Sequence, residues 1–226
     1  MEDFLDTGAH PGSAQCPCPL CHTTHAALFH EDRHRPYYRC HTCLLVFVPS
    51  AYFLSPVDEK AVYDLHENAV DDPGYRRFLS RLFEPMYNHL APNSTGLDFG
   101  CGPAPALATM FQEAGHLMDL YDHFYYPDAD RLQQPYDFIT ASEVVEHLHH
   151  PRPELDRLWS CLKPSGILGI MTKRVLNQAA FARWHYITDP THVCFFSTDT
   201  FQWLANQWQA DLTVIGNDVV LLTKRQ

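Results

Sequence analysis

The sequence predicts an α/β protein with a small metal-binding segment near its N-terminus. Three patterns lead to this fold class: two closely spaced cysteine pairs, an alternation of apolar strand, turn and helix from residue 96 onward, and a hairpin pattern at the end. The 226 residues suffice for one full-sized domain and an appendage. We expect a cysteine-rich segment over residues 1–50, a linker with one helix over 51–94, and the main domain over 95–226.

The cysteine pairs are Cys18 with Cys21 and Cys40 with Cys43, and 18 residues separate them. Two C-x2-C pairs at this distance are typical of a zinc ribbon, in which four thiolates surround one Zn²⁺ tetrahedrally. Such a site has no open coordination position, so we expect structural zinc that folds a segment too small to fold alone. Cys16 also precedes Cys21 and is a second choice for the first ligand, although the C-x2-C register favours Cys18.

Composition limits the classes of partner. The formal net charge is −11, and an acidic chain repels phosphate backbones, which argues against nucleic acid. The apolar runs are far shorter than a membrane span, and the acidic residues 1–4 lack the basic start and apolar core of a signal peptide. We therefore expect a cytoplasmic protein without membrane association, and the sequence leaves its number of subunits open.

The main domain opens with a short apolar strand that enters a glycine-rich turn. Gly100 and Gly102 in this turn let the backbone approach a ligand closely. The next strand ends in Asp122, 24 positions after Asp98. This spacing is close to that at which nucleoside-binding folds place a ribose-binding carboxylate.

Apolar spacing predicts the other elements of the domain and the helix before it. We expect strands over 96–99, 117–122, 136–141 and 167–172, helices over 75–90, 106–114, 153–162 and 200–207, and a terminal antiparallel hairpin of 211–215 with 219–223.

Two carboxylates and an imidazole follow the third of these strands. Glu143, Glu146 and His147 stand at positions i, i+3 and i+4, so we expect them on one face of a helix that starts directly after the strand. Carboxylates that close repel each other unless a divalent cation or a shared proton lies between them. His192, far downstream, is a fourth candidate ligand. Without a metal, His147 or His192 is the candidate general base.

The order of these motifs resembles the class I S-adenosylmethionine-dependent methyltransferases, which have a Rossmann-like sheet with a C-terminal antiparallel hairpin. The resemblance runs from about residue 75 to the end. It rests on Leu-Asp-Phe-Gly-Cys-Gly at 97–102, Asp122, Tyr-Asp-Phe-Ile-Thr-Ala-Ser-Glu at 136–143, Leu-Lys-Pro-Ser-Gly at 162–166 and the hairpin.

The resemblance implies S-adenosylmethionine as the cofactor and assigns six residues to it. Three would border its methionine end, one would accept hydrogen bonds from its ribose hydroxyls, and two would lie beside its sulfonium. These are, in that order, Asp98, Gly100 and Gly102, then Asp122, then Ser142 and Glu143.

The sequence departs from the family after the second strand of the domain. Only 14 residues lie between Asp122 and Asp137, where the family normally fits a helix and a strand. We therefore expect a fold that is shortened in this region, with Phe124, Tyr125 and Tyr126 as candidate adenine contacts.

Glu-x-x-Glu-His with a later histidine also resembles two metal-dependent branches. One comprises the small-RNA 3′-terminal 2′-O-methyltransferases, the other the O-methyltransferases of ubiquinone biosynthesis. By this resemblance a second divalent metal would be coordinated and would chelate two adjacent substrate oxygens. Its ligands would be Glu143, Glu146, His147 and His192.

One function and two alternatives follow. The first is S-adenosylmethionine-dependent methylation of a small molecule, with oxygen as the favoured acceptor and Trp184 and Tyr186 as an aromatic wall beside it. The second is RNA 2′-O-methylation with the ribbon as an RNA clamp, against which the net charge argues. The third is a zinc-ribbon binding protein whose methyltransferase fold only senses the cofactor.

Overall fold

A computed structural model describes residues 16–65 and 69–225, so residues 1–4, on which the expectation about a signal peptide rests, lie outside it. The strands are β1 Ala26–Glu31, β2 Pro36–Cys40, β3 Val46–Phe47, β4 Thr95–Phe99, β5 Leu117–Tyr121, β6 Tyr136–Ser142, β7 Leu162–Met171, β8 Cys194–Phe195, β9 Asp211–Ile215 and β10 Val219–Thr223. The α-helices are α1 Pro56–Tyr63, α2 Pro73–Tyr87, α3 Ala106–Glu113, α4 Pro151–Cys161, α5 Gln178–Phe181 and α6 Thr198–Trp208. Over these ranges no helix has both the length and the apolar character that a membrane crossing requires.

The larger sheet has six strands in the order β5-β4-β6-β7-β10-β9. Strands β5, β4, β6 and β7 run parallel, whereas β10 pairs antiparallel with both β7 and β9. This is the predicted Rossmann-like sheet, and its terminal hairpin has the predicted bounds. Because parallel strands end at one edge of a sheet, the carboxyl ends of β4, β5 and β6 lie together, where open α/β sheets bind ligands.

The sheet ends at β5 because the segment that follows is too short for another strand and helix. Before β6 this segment holds only a 3-10 turn over Ala129–Gln133. Asp122 and Tyr126 pair through two main-chain hydrogen bonds of 3.1 and 3.0 Å and so close a tight turn. The predicted shortening after the second strand of the main domain is therefore confirmed.

Helix α2 covers the sheet close to the predicted position. Asp72 caps its first turn, and Pro73 occupies the first helical position, where no N–H is needed. Met86 on its buried face reaches Gly169 of β7, where a Cβ would lie 2.5 Å from the methionine sulfur. The bare glycine backbone therefore sets how closely the helix packs on the strand.

The prediction of a helix directly after β6 is wrong. Glu143 has a left-handed backbone with φ of 52°, and only a 3-10 turn over Val145–His147 follows before α4. The Glu143 N–H donates to the carbonyl of Met171 at 2.7 Å, which prolongs the sheet instead of starting a helix. Val144 then packs against Gly100, where a Cβ would lie 2.5 Å from a valine methyl. The three acidic and imidazole residues therefore do not share a helical face.

The smaller sheet joins the cysteine-rich segment to the main domain. Its order is β1-β2-β3-β8, so its last strand comes from the main domain. Aromatic rings pack across the junction, with centroids 5.2 Å apart for Tyr37 and Phe181 and 5.2 Å apart for Phe181 and Phe195. The sheet and this cluster thus contain residues from both sides of the predicted boundary at residue 50.

Candidate active site

A cavity of about 740 Å³ opens at the carboxyl edge of the parallel strands. Its volume lies within the range of small-molecule sites, about 300–1,000 Å³. The sequence-predicted residues that line it are Gly100, Gly102, Asp122, Ser142, Glu143, His147 and His192. Most of the candidate cofactor residues and three of the four candidate metal ligands therefore face one space.

The glycine-rich turn between β4 and α3 borders this cavity with bare backbone. Gly100 and Gly102 have φ of 70° and 63°, a region in which residues with a side chain are strained. A Cβ on Gly102 would meet no atom within 4 Å, so space is open beside its main chain. The turn therefore fits the close approach of a ligand to the backbone.

Asp122 lies directly after β5 and accepts hydrogen bonds from its own turn and from the glycine-rich turn after β4. Its Oδ1 accepts hydrogen bonds from the N–H groups of Phe124 and Tyr125 at 2.8 and 3.1 Å. Its Oδ2 accepts one from the N–H of Gly102 at 3.0 Å. A carboxylate offers about four lone-pair positions, so one acceptor position remains for a ligand hydroxyl.

Asp98 is buried and is not among the residues that line the cavity. Its Oδ1 accepts a hydrogen bond from the hydroxyl of Thr140 at 2.8 Å. Burial raises the pKa of Asp98 to about 7, although the bond from Thr140 acts in the opposite direction. This geometry suits a support for the end of β4, and the cofactor contact that the resemblance implies stays a prediction.

Aromatic residues form much of the remaining wall. Phe124 and Tyr125 line the cavity, whereas Tyr126 does not. Tyr63 of α1 and Tyr75 of α2 also line it, and sequence reasoning misses both because no motif marks the segment before the domain. Burial raises the pKa of Tyr75 to about 12, so its hydroxyl stays protonated at neutral pH.

Three of the four candidate metal ligands come together. The ligand atoms of Glu146, His147 and His192 lie within 4.8 Å of one another. Glu143 is outside this group, because it precedes the 3-10 turn in a left-handed conformation. Two buried carboxylate oxygens, Oε1 of Glu143 and Oε2 of Glu146, have no hydrogen-bond partner among the described residues. Such oxygens fit a bound cation or a proton.

His192 is held in the form that binds metals. Its Nδ1 lies 2.7 Å from the carbonyl oxygen of Tyr186. Because a carbonyl only accepts hydrogen bonds, Nδ1 carries the proton and Nε2 has the lone pair that a metal needs. Burial lowers the pKa of His192, so the neutral ring is favoured even though Oδ2 of Asp189 lies 3.7 Å from Nε2.

Tyr186 is a partner of the glutamates, a role that sequence reasoning misses. Its hydroxyl donates to Oε1 of Glu146 and lies 3.3 Å from Oε2 of Glu143. Burial, with the nearby charge of Glu143, raises the pKa of Glu146. Neither Trp184 nor Tyr186 lines this cavity, and the aromatic wall that they would form beside the substrate stays a prediction.

The predicted cysteine ligands form a second group. Their four Sγ atoms lie within 4.8 Å of one another, and two of the separations are 3.4 Å. A tetrahedral site with Zn–S bonds of about 2.3 Å needs sulfur separations of about 3.8 Å, which this group approaches. Cys16 is outside the group, so the geometry favours Cys18 as the register does. The members are Cys18, Cys21, Cys40 and Cys43.

The chain has the parallel-rich sheet of the class I methyltransferase fold, with a cavity at the carboxyl edge of its parallel strands. A family model described as a methyltransferase domain matches residues 70–216, and the chain belongs to this family. The predicted family, fold and enzyme class are therefore confirmed.

Part of the sequence is similar to a curated protein, the ubiquinone biosynthesis O-methyltransferase of Erwinia tasmaniensis. The two are 32% identical over 74 residues. This match covers 33% of the chain and 30% of the relative, so the chain matches less than a third of the length of that protein.

Solved structures share the fold at low identity. The 1,6-didemethyltoxoflavin-N1-methyltransferase of Burkholderia thailandensis, solved with its namesake compound and S-adenosylhomocysteine, is 15% identical with a TM-score of 0.51. That match covers 87% of the chain and 98% of the other protein. A SAM-dependent methyltransferase from Archaeoglobus fulgidus is 15% identical with a TM-score of 0.52, over 66% of the chain and 94% of the other protein.

Proposed function

We propose that the chain transfers the methyl group of S-adenosylmethionine to an oxygen of a small molecule, assisted by a divalent cation. The observation that carries this proposal is the shared cavity. The same 740 Å³ space is lined by Gly102 and Asp122 on the cofactor side and by His147 and His192 of the metal group. A methyl donor and an acceptor held by these two groups would meet at short range, as group transfer requires.

On the cofactor side, the chain offers bare backbone and one carboxylate acceptor. The turn at Gly100 and Gly102 would admit the methionine end, and the remaining lone pair of Asp122 would accept a ribose hydroxyl. When bound, S-adenosylmethionine supplies an electrophilic methyl on a positively charged sulfonium. Ser142 and Glu143 line the cavity at the end of β6, and the carboxylate would favour this positive charge.

On the acceptor side, Glu146, His147 and His192 would hold the cation. A divalent cation supplies Lewis acidity, which lowers the pKa of a bound hydroxyl and holds two adjacent oxygens. Tyr186 would orient Glu146 through its hydrogen bond to Oε1, which leaves Oε2 to bind. Three protein ligands leave coordination positions for the substrate, as in catalytic sites generally.

The charges around the cavity favour a small neutral or cationic substrate over RNA. Among the described residues that line it there is no lysine or arginine. The carboxylates there would attract a sulfonium and a metal ion but repel a phosphate backbone. They belong to Glu59, Asp122, Glu143, Glu154 and Asp189. The similarity to an enzyme named for ubiquinone biosynthesis supports the same substrate class.

The four cysteines would hold structural zinc. Their sulfur separations suit a tetrahedral ion, and three of the four side chains are fully buried. A shell of four thiolates leaves no position for a substrate, so this zinc would fold the ribbon and take no part in methyl transfer.

The test is methyl transfer to acceptors that differ in the spacing of their oxygens. Purified protein is incubated with S-adenosylmethionine, Mg²⁺ or Mn²⁺, and a catechol, a simple phenol or a short RNA with a free 3′ end. Mass spectrometry then quantifies methylated product and S-adenosylhomocysteine. We expect the catechol to be methylated faster than the phenol, because only adjacent oxygens chelate the cation. Methylation of the RNA alone would overturn the proposal in favour of RNA 2′-O-methylation. Cofactor binding without turnover on any acceptor would favour a cofactor-sensing protein.

A further inference from the structure

Arg35 of the ribbon is a buried arginine that holds a loop of the main domain. Only 6% of it is exposed. Its guanidinium donates to the carbonyl oxygens of Ile187 at 3.1 Å, Asp189 at 2.7 Å and Pro190 at 3.0 Å. Its Nε donates to the hydroxyl of Tyr37 at 2.9 Å. Burying a permanent charge is costly unless hydrogen bonds compensate it. The three carbonyls that accept from Arg35 all lie more than 150 positions further along the chain, which indicates that it joins these two segments.

The loop that Arg35 holds leads directly to a candidate metal ligand. Oδ1 of Asp189 accepts hydrogen bonds from the N–H and hydroxyl of Thr191 at 2.8 and 2.6 Å. The Asp189 carbonyl accepts the N–H of His192 at 3.3 Å, and the Tyr186 carbonyl accepts its Nδ1 at 2.7 Å. Fixing this loop therefore fixes both the backbone and the ring of His192.

The ribbon also holds the chain on the other side of His192. Strand β3 pairs with β8, and the N–H of Val48 donates to the carbonyl of Val193 at 2.9 Å. The N–H of Val193 in turn donates to the carbonyl of Glu146 at 2.8 Å. His192 thus lies between two attachments to the ribbon, and the second attachment also reaches Glu146.

We infer that the ribbon is a positioning element of the active site and that Arg35 is its principal positioning residue. The inference rests on the proposed function, in which His192 binds the catalytic cation. Arg35 is not among the residues that line the candidate cofactor cavity, and it acts by holding the Nε2 atom of His192 where the metal group needs it. Partners that orient metal ligands typically change metal affinity or activity by about 10–100-fold when they are removed.

The primary variant is Arg35→Gln, with Arg39→Gln as its control. Arg39 lies on β2, the strand that begins directly after Arg35, and its guanidinium stacks over the ring of Phe29 at 5.7 Å. In Arg35→Gln we expect kcat and Mn²⁺ affinity to fall about 10–100-fold, with the KM for S-adenosylmethionine unchanged. Mn²⁺ binding is followed by electron paramagnetic resonance, which requires no turnover. Equal kcat and Mn²⁺ affinity in the two variants would overturn the inference.

A double-mutant comparison tests whether Arg35 acts through His192. If it does, Arg35→Gln should lower kcat in the wild-type background but cause little further loss in His192→Ala, because the ring it positions is gone. Independent losses that multiply would show that Arg35 acts by another route and would overturn the inference. Arg35→Lys serves if the glutamine variant does not fold, since it keeps the charge but loses the planar fork that spans three carbonyls. Retention of wild-type kcat and Mn²⁺ affinity in Arg35→Lys would count against the inference.

A structural measurement separates this inference from the proposed function. Hydrogen exchange of the main-chain amides of residues 187–189 and 191–193 is measured in the wild type and in both glutamine variants. Faster exchange in Arg35→Gln alone supports the positioning role even if no acceptor is methylated, in which case only the proposed function fails. Unchanged exchange together with measurable methyl transfer would overturn the inference and leave the proposed function standing.

Discussion

The two candidate metal-ligand groups of this chain are built in different ways. The cysteine group takes its ligands from two C-x2-C pairs, and each pair is a tight local turn. The second group combines Glu146 and His147 with His192, which lies 45 positions after His147 and is held by contacts to the ribbon. A site made of local turns is readable from spacing alone, whereas a site made of distant segments depends on everything that packs between them.

The largest expected effect comes from removing one ligand of the cysteine group. We expect Cys40→Ser to lose the zinc and unfold the ribbon, because structural zinc contributes roughly 10–16 kcal/mol to such folds. Loss of β3 would release β8 and the His192 loop, so activity should fall by a factor on the order of 100 or more. Zinc content by mass spectrometry, circular dichroism and methyl transfer measure the three effects.

Cys16→Ser is the matched control for this substitution, because Cys16 lies outside the cysteine group. It should keep its zinc and its activity. If the two variants instead lost zinc equally, Cys16 would have to be a ligand, and the geometric choice of Cys18 would be wrong.

The next largest effect is expected at the group of Glu146, His147 and His192. We expect His192→Ala to lower kcat on the order of 100-fold and to weaken Mn²⁺ binding, with the ribbon zinc and the KM for S-adenosylmethionine unchanged. His185→Ala is the control, since His185 is exposed on the same loop. Steady-state kinetics and Mn²⁺ titration measure the result, and full activity in His192→Ala would remove it from the site.

A smaller effect is expected at the cofactor side of the cavity. Asp122→Asn replaces one carboxylate oxygen with an amide that cannot accept the N–H groups now bound there. Losing the acceptor that the ribose hydroxyl would use costs about 1–3 kcal/mol, so the Kd for S-adenosylmethionine should rise about ten-fold while kcat at saturation changes little. Calorimetric titration measures the change, with Asp130→Asn as an exposed control. Equal affinities in the two variants would rule out this role for Asp122.

The smallest effect on methyl transfer is expected at Asp98, where the predicted change is a pH dependence of stability. Its pKa in the folded protein is raised to about 7, above the value of about 3.9 in the unfolded chain. Between these values the folded state binds more protons, so the free energy of unfolding decreases as pH rises from about 4 to about 7. Asp98→Asn keeps an oxygen that accepts the Thr140 hydroxyl. In this variant the free energy of unfolding should lose the part of its pH dependence that Asp98 causes.

Urea unfolding of the wild type and of Asp98→Asn at pH 5 and pH 8 measures the difference in their free energies of unfolding. Groups shared by the two proteins cancel in this comparison, so parallel pH profiles would mean that Asp98 is ionised throughout.

Local patterns account for most of what could be predicted here. The hairpin matches its predicted bounds because alternating apolar residues around Gly216 and Asn217 leave few other structures. The glycine turn was readable for the same reason, since only a few neighbouring residues determine it.

The error at Glu143 shows where local reasoning stops. Spacing alone favours a helix there, but the Met171 carbonyl accepts its N–H and Val144 fills the space beside Gly100. Both competing contacts come from segments well separated in sequence. The favourable sheet bond and packing outweigh a helical propensity that is weak for so short a segment.

The sequence by itself determined the methyltransferase fold, the four cysteines that come together and several of the residues around the cavity, because spacing and residue chemistry act over short distances. Only the tertiary structure decided which of those residues meet. It left Glu143 outside the metal group, placed Tyr186 against Glu146, and put Arg35 on the loop before His192. These contacts span 40 to 154 positions of the chain, and a single sequence carries no local signal for pairs that folding alone brings together.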